Sequence, residues 1–145
     1  MLFGKRKQVV KRILIVEDEP LTAFDNENLL ADAGYEIVAT VDDLDDALNV
    51  LARDEVHLIV SDVRLRKDQT GIQLAHAARE RGIPTLFVTG YPHPEAPQIA
   101  VGCLLKPYSA RQLCKAIECV DRHLQGHKVK VPKGLELFVA IDEQE

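Results

Sequence analysis

Asp62 stands just past the apolar run His57-Leu58-Ile59-Val60-Ser61, while Glu17, Asp18 and Glu19 follow another apolar run upstream. Thr89 and Lys106 close two further runs downstream. Short runs of this kind read as buried strands, and in an open parallel sheet the carboxyl ends of the strands gather at one edge, where ligands bind. Carboxylates, an ammonium and a hydroxyl would then meet at one point. Such an oxygen-rich set suits a divalent metal, and a carboxylate nucleophile beside a metal and a lysine suits phosphoryl transfer.

The elements that must carry these residues alternate along the chain. Arg12 to Val16 reads as a first strand, apolar after its charged start, as expected when both faces are covered. Pro20 to Ala33 follows as a helix with apolar positions Leu21, Phe24, Leu29 and Leu30, ended by Gly34. Glu36 to Val41 is a second strand, after which Asp42 or Asp43 can cap a helix through about Arg53 with Leu44, Ala47, Leu48 and Leu51 inward. The third strand ends near Ser61. A polar loop, Arg64 to Thr70, leads to a helix carrying Ile72, Leu74, Ala75 and Ala78 and closed by Arg81-Gly82. Pro84 to Val88 and Val101 to Leu105 are strands four and five. Ser109 and Gln112 match a capping box, so a last helix runs from there to about Leu124 and ends at Gly126. This order implies an α/β fold, a doubly wound sheet of five parallel strands.

Two segments break the pattern. Tyr91 to Pro97 holds three prolines, so a fourth helix cannot begin before about Glu95 and is short and irregular. The apolar tail Leu135 to Ile141, after Pro132 and Gly134, reads as an extra strand or an adhesive segment, packed on its own domain or docked to a partner chain. The chain therefore divides into a basic N-terminal extension (residues 1–10), one domain (11–125) and a C-terminal tail (126–145).

Composition narrows the function classes. At 145 residues the chain fits a single domain with no attached output module, and a net charge of −5, from 23 acidic and 18 basic residues, does not favour nucleic acid. The basic cluster Lys5, Arg6, Lys7, Lys11 and Arg12 reads as a solvated, frayed start, with a nucleic-acid or membrane contact as the alternative. Met1-Leu2-Phe3 is too short for a signal-peptide core and no run is long enough to span a membrane, so a cytoplasmic protein is expected. Cys103, Cys114 and Cys119 lack Cys-x-x-Cys spacing and read as buried thiols of a reducing compartment. None of the five histidines forms a helical metal-binding pair.

Singly, a carboxylate after a strand is commonly a helix cap, Thr89 a turn residue and Lys106 a solvated lysine. Independent caps have no reason to fall on successive strand ends with these chemistries. Together Val16-Glu17-Asp18-Glu19-Pro20, Asp62, Thr89-Gly90 and Lys106-Pro107-Tyr108 resemble the response-regulator receiver domain of bacterial two-component signalling, over about Lys11 to Gln125. The resemblance implies the flavodoxin-like receiver fold. It also implies that Glu17 and Asp18 hold Mg²⁺ with Asp62 and the backbone carbonyl of Arg64. By the same resemblance Asp62 accepts a phosphoryl group from the histidine of a kinase or phosphotransfer protein, Thr89 hydrogen-bonds it and Lys106 neutralises it. The chemistry agrees, because metal and lysine offset charge on the transferring group.

Departures from the family matter as much. The usual aromatic switch residue lies three positions before the lysine, where Cys103 stands, and the proline expected four residues after Asp62 is Arg66. Phe87-Val88-Thr89-Gly90-Tyr91 is similar to the Phe-x-Thr-Gly-Tyr (FAT GUY) subgroup of receivers, often stand-alone, so Gly90, Tyr91 and the proline-rich loop are candidates for the switching role. Arg64 and Tyr91, each two residues beyond a site residue, are placed to tune access of water. Output is then a protein contact or service as a phosphate sink. An aspartate-nucleophile phosphatase is disfavoured, since Arg64 occupies the place of its general acid. A phosphorylation-independent binding module remains the alternative, on the strength of Cys103.

Overall fold

The computed structural model describes residues 7–65 and 70–139. Strands and helices alternate as β1 (Arg12–Val16), α1 (Pro20–Asp32), β2 (Glu36–Val41), α2 (Leu44–Arg53), β3 (Leu58–Asp62), α3 (Gly71–Glu80), β4 (Thr85–Thr89), α4 (Ala96–Ile99), β5 (Gly102–Leu105), α5 (Ala110–Leu124) and β6 (Leu135–Leu137). The sheet order is β2-β1-β3-β4-β5-β6. The first five strands pair in parallel, and β6 joins β5 antiparallel. The tail thus packs on its own domain as a sixth strand; Ala140 and Ile141 of the apolar run lie outside the described residues, as do Lys5, Arg6 and Arg66.

Period-two alternation sends successive side chains of each strand to opposite faces. Ile13 and Ile15 of β1 pack with Leu58, Val60, Leu86 and Val88 against Leu30 of α1 and Leu113, Ile117 and Val120 of α5. Leu14 and Val16 pack with Ile59 on the other face, against Leu44, Ala47, Val50 and Leu51 of α2 and Leu74 and Ala78 of α3. A third cluster joins Phe87 and Cys103 to Ile72 and Ala75 of α3 and Ala96 and Ile99 of α4. Each buried Leu, Ile or Phe contributes about 1.5–3 kcal/mol of transfer free energy, so the covered sheet is the main source of stability.

Local chemistry sets the helix ends. Asp43, not Asp42, caps α2 by accepting from the Asp46 amide at 2.9 Å. Ser109 and Gln112 form the expected capping box at α5, and Thr70 with Gln73 forms a second one at α3. The α1 stripe differs from the expectation. Leu21 and Phe24 are 72% and 61% exposed, and the buried positions are Asn26 and Leu30. A helix has one inward stripe, and with Leu30 on it the residue four places earlier, Asn26, shares it while Leu21 and Phe24 face outward.

The start of the domain is anchored by polar groups. Asp121 on α5, buried, accepts from the amides of Val9 (3.1 Å) and Val10 (2.9 Å) and from Gln125 Nε2 (2.6 Å). His57 Nδ1 accepts from the amides of Lys11 and Arg12 at 3.0 Å each. Val9 and Val10, which belong to the segment read as an extension, are therefore tied to the body. Asp121→Ala leaves these donors unpaired next to a fully buried Val10, and an unsatisfied buried group costs about 1–3 kcal/mol. Urea unfolding of the variant is expected to show a loss in that range at unchanged slope.

Candidate functional site

Parallel pairing brings the strand ends together. Val16 lies opposite Ser61, Asp62 opposite Val88, and Thr89 opposite Leu105. Glu17 and Asp18 follow β1 directly, Asp62 ends β3, Thr89 ends β4 and Lys106 follows β5. Their placement at one edge is a consequence of the sheet order.

The charged groups converge. Lys106 Nζ donates to Asp62 Oδ1 at 2.6 Å and lies 3.7 Å from Glu17 Oε1. Glu17 and Asp62 are buried, and ligand oxygens of Glu17, Asp18 and Asp62 all lie within 4.8 Å of one another. Glu17 Oε2 accepts from the Glu19 amide at 3.0 Å, whereas Glu17 Oε1 is buried with no hydrogen-bond partner. An orphaned carboxylate oxygen within a set of three carboxylates faced by one lysine fits a hard divalent cation.

Burial, reinforced by the neighbouring Asp62, pushes the Glu17 carboxyl up to about 7. Burial opposes the charge of Lys106, but the hydrogen bond and charge of Asp62, with Glu17 behind it, hold its ammonium above the ordinary range. A proton on Glu17 competes with a cation, so Mg²⁺ affinity is expected to rise as pH increases through about 7, measured by calorimetry at pH 6 and pH 8. Without metal the sign reverses for stability. The folded state holds a proton on Glu17 that the unfolded chain releases from its ordinary 4.5, so stability falls as pH rises from that value to about 7.

Thr89 is not brought onto Asp62. Its Oγ1 donates to the Tyr91 carbonyl at 3.1 Å and accepts from the Tyr91 amide at 3.3 Å, turning the hydroxyl into its own loop. Tyr91 is 84% exposed. Gly90 has no positive φ, and a Cβ built there meets nothing, so no steric demand explains the glycine in this state. Arg64 forms an isolated antiparallel bridge with Thr70. Cys103 is buried beside Phe87, and that burial, with Glu136 nearby, pushes its thiol up to about 11.

Three further residues take a place at the site. Asn26 Nδ2 on α1 donates to Tyr108 Oη at 2.9 Å, pinning the segment that carries Lys106. Ser61 Oγ donates to the Asp62 carbonyl at 2.7 Å. Gly71, the first residue of α3, lies so close to that same carbonyl that a Cβ could not fit between them. An asparagine on the inward stripe of α1 was the available signal for the first; the others depend on contacts that no spacing encodes.

A family model described as the response regulator receiver domain matches residues 13–118, taking in every one of these strand ends. The chain belongs to that family. Its fold is the flavodoxin-like receiver fold, and solved receivers superpose on it. The chemotaxis response regulator CheY4 of Vibrio cholerae has a TM-score of 0.67 at 28% identity, covering 77% of this chain and 98% of that one. The response regulator PhyR from Brucella abortus has a TM-score of 0.67 at 25% identity over 83% of this chain and 51% of that chain. In sequence, this receiver is 32% identical over 117 residues to the transcriptional regulatory protein PdtaR of Mycobacterium tuberculosis, across 76% of its own length and 56% of that relative's. It thus spans little more than half of PdtaR. Among the described residues, no helix of this receiver is long and apolar enough to cross a membrane.

Proposed function

We propose that this receiver accepts a phosphoryl group on Asp62 from the phosphohistidine of a kinase or phosphotransfer protein. A carboxylate oxygen of Asp62 attacks phosphorus, the P–N bond to the donor imidazole breaks, and the imidazole leaves with a proton. The observation that carries this reading is the 2.6 Å contact of Lys106 Nζ with Asp62 Oδ1 beside an orphaned Glu17 oxygen. Lys106 orients the nucleophile and stands ready to neutralise the added charge. Glu17, Asp18 and Asp62 would hold Mg²⁺, with the carbonyl of Arg64 as a further ligand. Bound there, Mg²⁺ supplies charge neutralisation on the transferring group.

Signal output in this reading is a contact with a downstream protein, or service as a phosphate sink, in the cytoplasm. The protein has no turnover on external substrates. Phe87-Val88-Thr89-Gly90-Tyr91 supports membership of the Phe-x-Thr-Gly-Tyr subgroup and a switch in which Thr89 exchanges Tyr91 for a phosphoryl oxygen. Two hydrogen bonds to the Tyr91 backbone must break for that exchange, which frees the loop leading to α4. Thr89→Ala, which removes the hydroxyl that makes both bonds and leaves Asp62 and Lys106 in place, is expected to take up a phosphoryl group but to lose more than half of the NMR shift changes across Gly90 to Ile99. A second reading, a binding module indifferent to phosphorylation, draws on the same Thr89 contacts and on Cys103. Intact-protein mass after incubation with Mg²⁺ and a small phosphoryl donor separates the two. One added group is expected, and no adduct from small donors or kinases would favour the second reading.

A further inference from the structure

We propose that the segment Leu135–Phe138 is a removable strap over a strand-docking edge, released when Asp62 is phosphorylated and replaced by an extended segment of a partner protein. The proposal rests on the phosphoacceptor reading given above. It begins with β5, whose outer edge is covered, among the described residues, by β6 and the residues that flank it. The Leu105 amide donates to the Gly134 carbonyl and the Phe138 amide to the Val101 carbonyl, both at 2.9 Å. A Cβ on Gly102 would meet the Glu136 carbonyl oxygen at 2.6 Å and Leu137 Cδ2 at 3.1 Å, so the edge is shaped for another backbone to lie against it.

The strap straddles both faces of the sheet. Leu135 is buried and Leu137 half-buried against the cluster around Leu104 and α5. Phe138 lies on the opposite side, against the cluster of Phe87, Cys103, Ile72 and Ala75 with Ala96 and Ile99 of α4. Helix α4 is a single turn, joined to Thr89 by the proline-rich link whose first bonds are those between Thr89 and Tyr91. Recruiting Thr89 to a phosphoryl group breaks those bonds. The link, α4 and the seat of Phe138 then change together, and a strand only three residues long, paired on one side with β5 and with one further contact between the Phe138 carbonyl and His123 Nε2 at 3.2 Å, is weakly anchored. The strap itself defines the incoming chemistry. It is an extended, antiparallel segment with apolar residues at alternate positions and an aromatic one residue further on, adding by main-chain hydrogen bonds.

The test uses the full chain and a synthetic peptide of residues Lys133 to Val139. Amide exchange at Leu105 and Phe138 is measured before and after incubation with Mg²⁺ and a small phosphoryl donor, with intact mass taken on the same sample. Expected are exchange at least tenfold faster at those two amides, unchanged exchange at Ile15 and Val60, and peptide binding at least tenfold tighter to the phosphorylated form. An added phosphoryl group with both amides still protected and no gain in peptide binding overturns the strap while leaving the phosphoacceptor reading intact. A sample that never gains the group overturns that reading, and the phosphorylation gate with it. Leu135→Asp, which puts a charge at a buried position of the strap, is expected to bind the peptide without any phosphoryl group. Failure to bind while Ile15 and Val60 stay protected overturns the docking edge. Self-association instead of peptide binding would make a second copy the occupant and overturn the partner segment.

Discussion

Asp62→Asn is expected to gain no mass under conditions in which the wild type gains one phosphoryl group. The side chain keeps its size and can still accept from Lys106, so the geometry of the site survives. What disappears is the nucleophile, because an amide oxygen does not form a stable acyl phosphate, and uptake falls to less than about 1% of wild type. The variant also loses one of the three carboxylates whose oxygens cluster within 4.8 Å, so Mg²⁺ binding weakens in parallel. A further consequence separates this effect from damage to the fold. Burial and Asp62 together raise the Glu17 carboxyl, and removing the Asp62 charge withdraws the second cause. The same change takes the charged partner from Lys106, so the two effects oppose each other and the metal-free variant is expected to melt close to wild type at pH 7. An adduct on Asp62→Asn would move the acceptor to another residue.

Much of this site was legible in the sequence because the physics that builds it is periodic. An apolar run covered on both faces announces a strand, and a polar residue that ends such a run must emerge at the sheet edge. Glu17, Asp18, Asp62 and Lys106 were found by that logic, and the structure gathers them. Thr89 reaches the same edge, but its hydroxyl is committed to Tyr91, a rotamer-level choice that spacing cannot reveal. The α1 stripe departs from its apolar spacing because one of its inward positions is polar. Leu21 and Phe24 face solvent and a buried asparagine faces Tyr108. The Thr70-Gln73 capping box has the same chemistry and spacing as Ser109-Gln112, but Thr70 also ends the polar run that reads as a loop. The anchoring of Val9 and Val10 by Asp121 joins residues more than a hundred positions apart, and only the folded topology brings them together.

Gly71→Ala is expected to have the largest effect of any single methyl added near the site. A Cβ at this position would overlap the carbonyl oxygen of Asp62 and sit 3.0 Å from Ser61 Oγ and 3.1 Å from Phe87 Cε1. The first of these is backbone, which cannot rotate aside. Either the end of β3 or the start of α3 must move, and overpacking of this kind costs about 1–3 kcal/mol. At roughly 3 °C per kcal/mol for a chain of this size, the melting temperature falls by about 3–9 °C. Function is hit harder than stability, because the displaced group is the backbone of the phosphoacceptor itself. The 2.6 Å contact with Lys106 and the cluster with Glu17 and Asp18 depend on where that carbonyl stands. A displacement near 1 Å can lower a positioned reaction by about a hundredfold, so phosphoryl uptake is expected to slow by about ten- to a hundredfold while Asp62 remains the acceptor. Gly90→Ala supplies the control. A Cβ there meets no atom within 4 Å, so its melting temperature is expected to match wild type. Equal melting temperatures and uptake rates for Gly71→Ala and wild type would show that α3 does not press on the Asp62 carbonyl, and that the acceptor is positioned by the sheet alone.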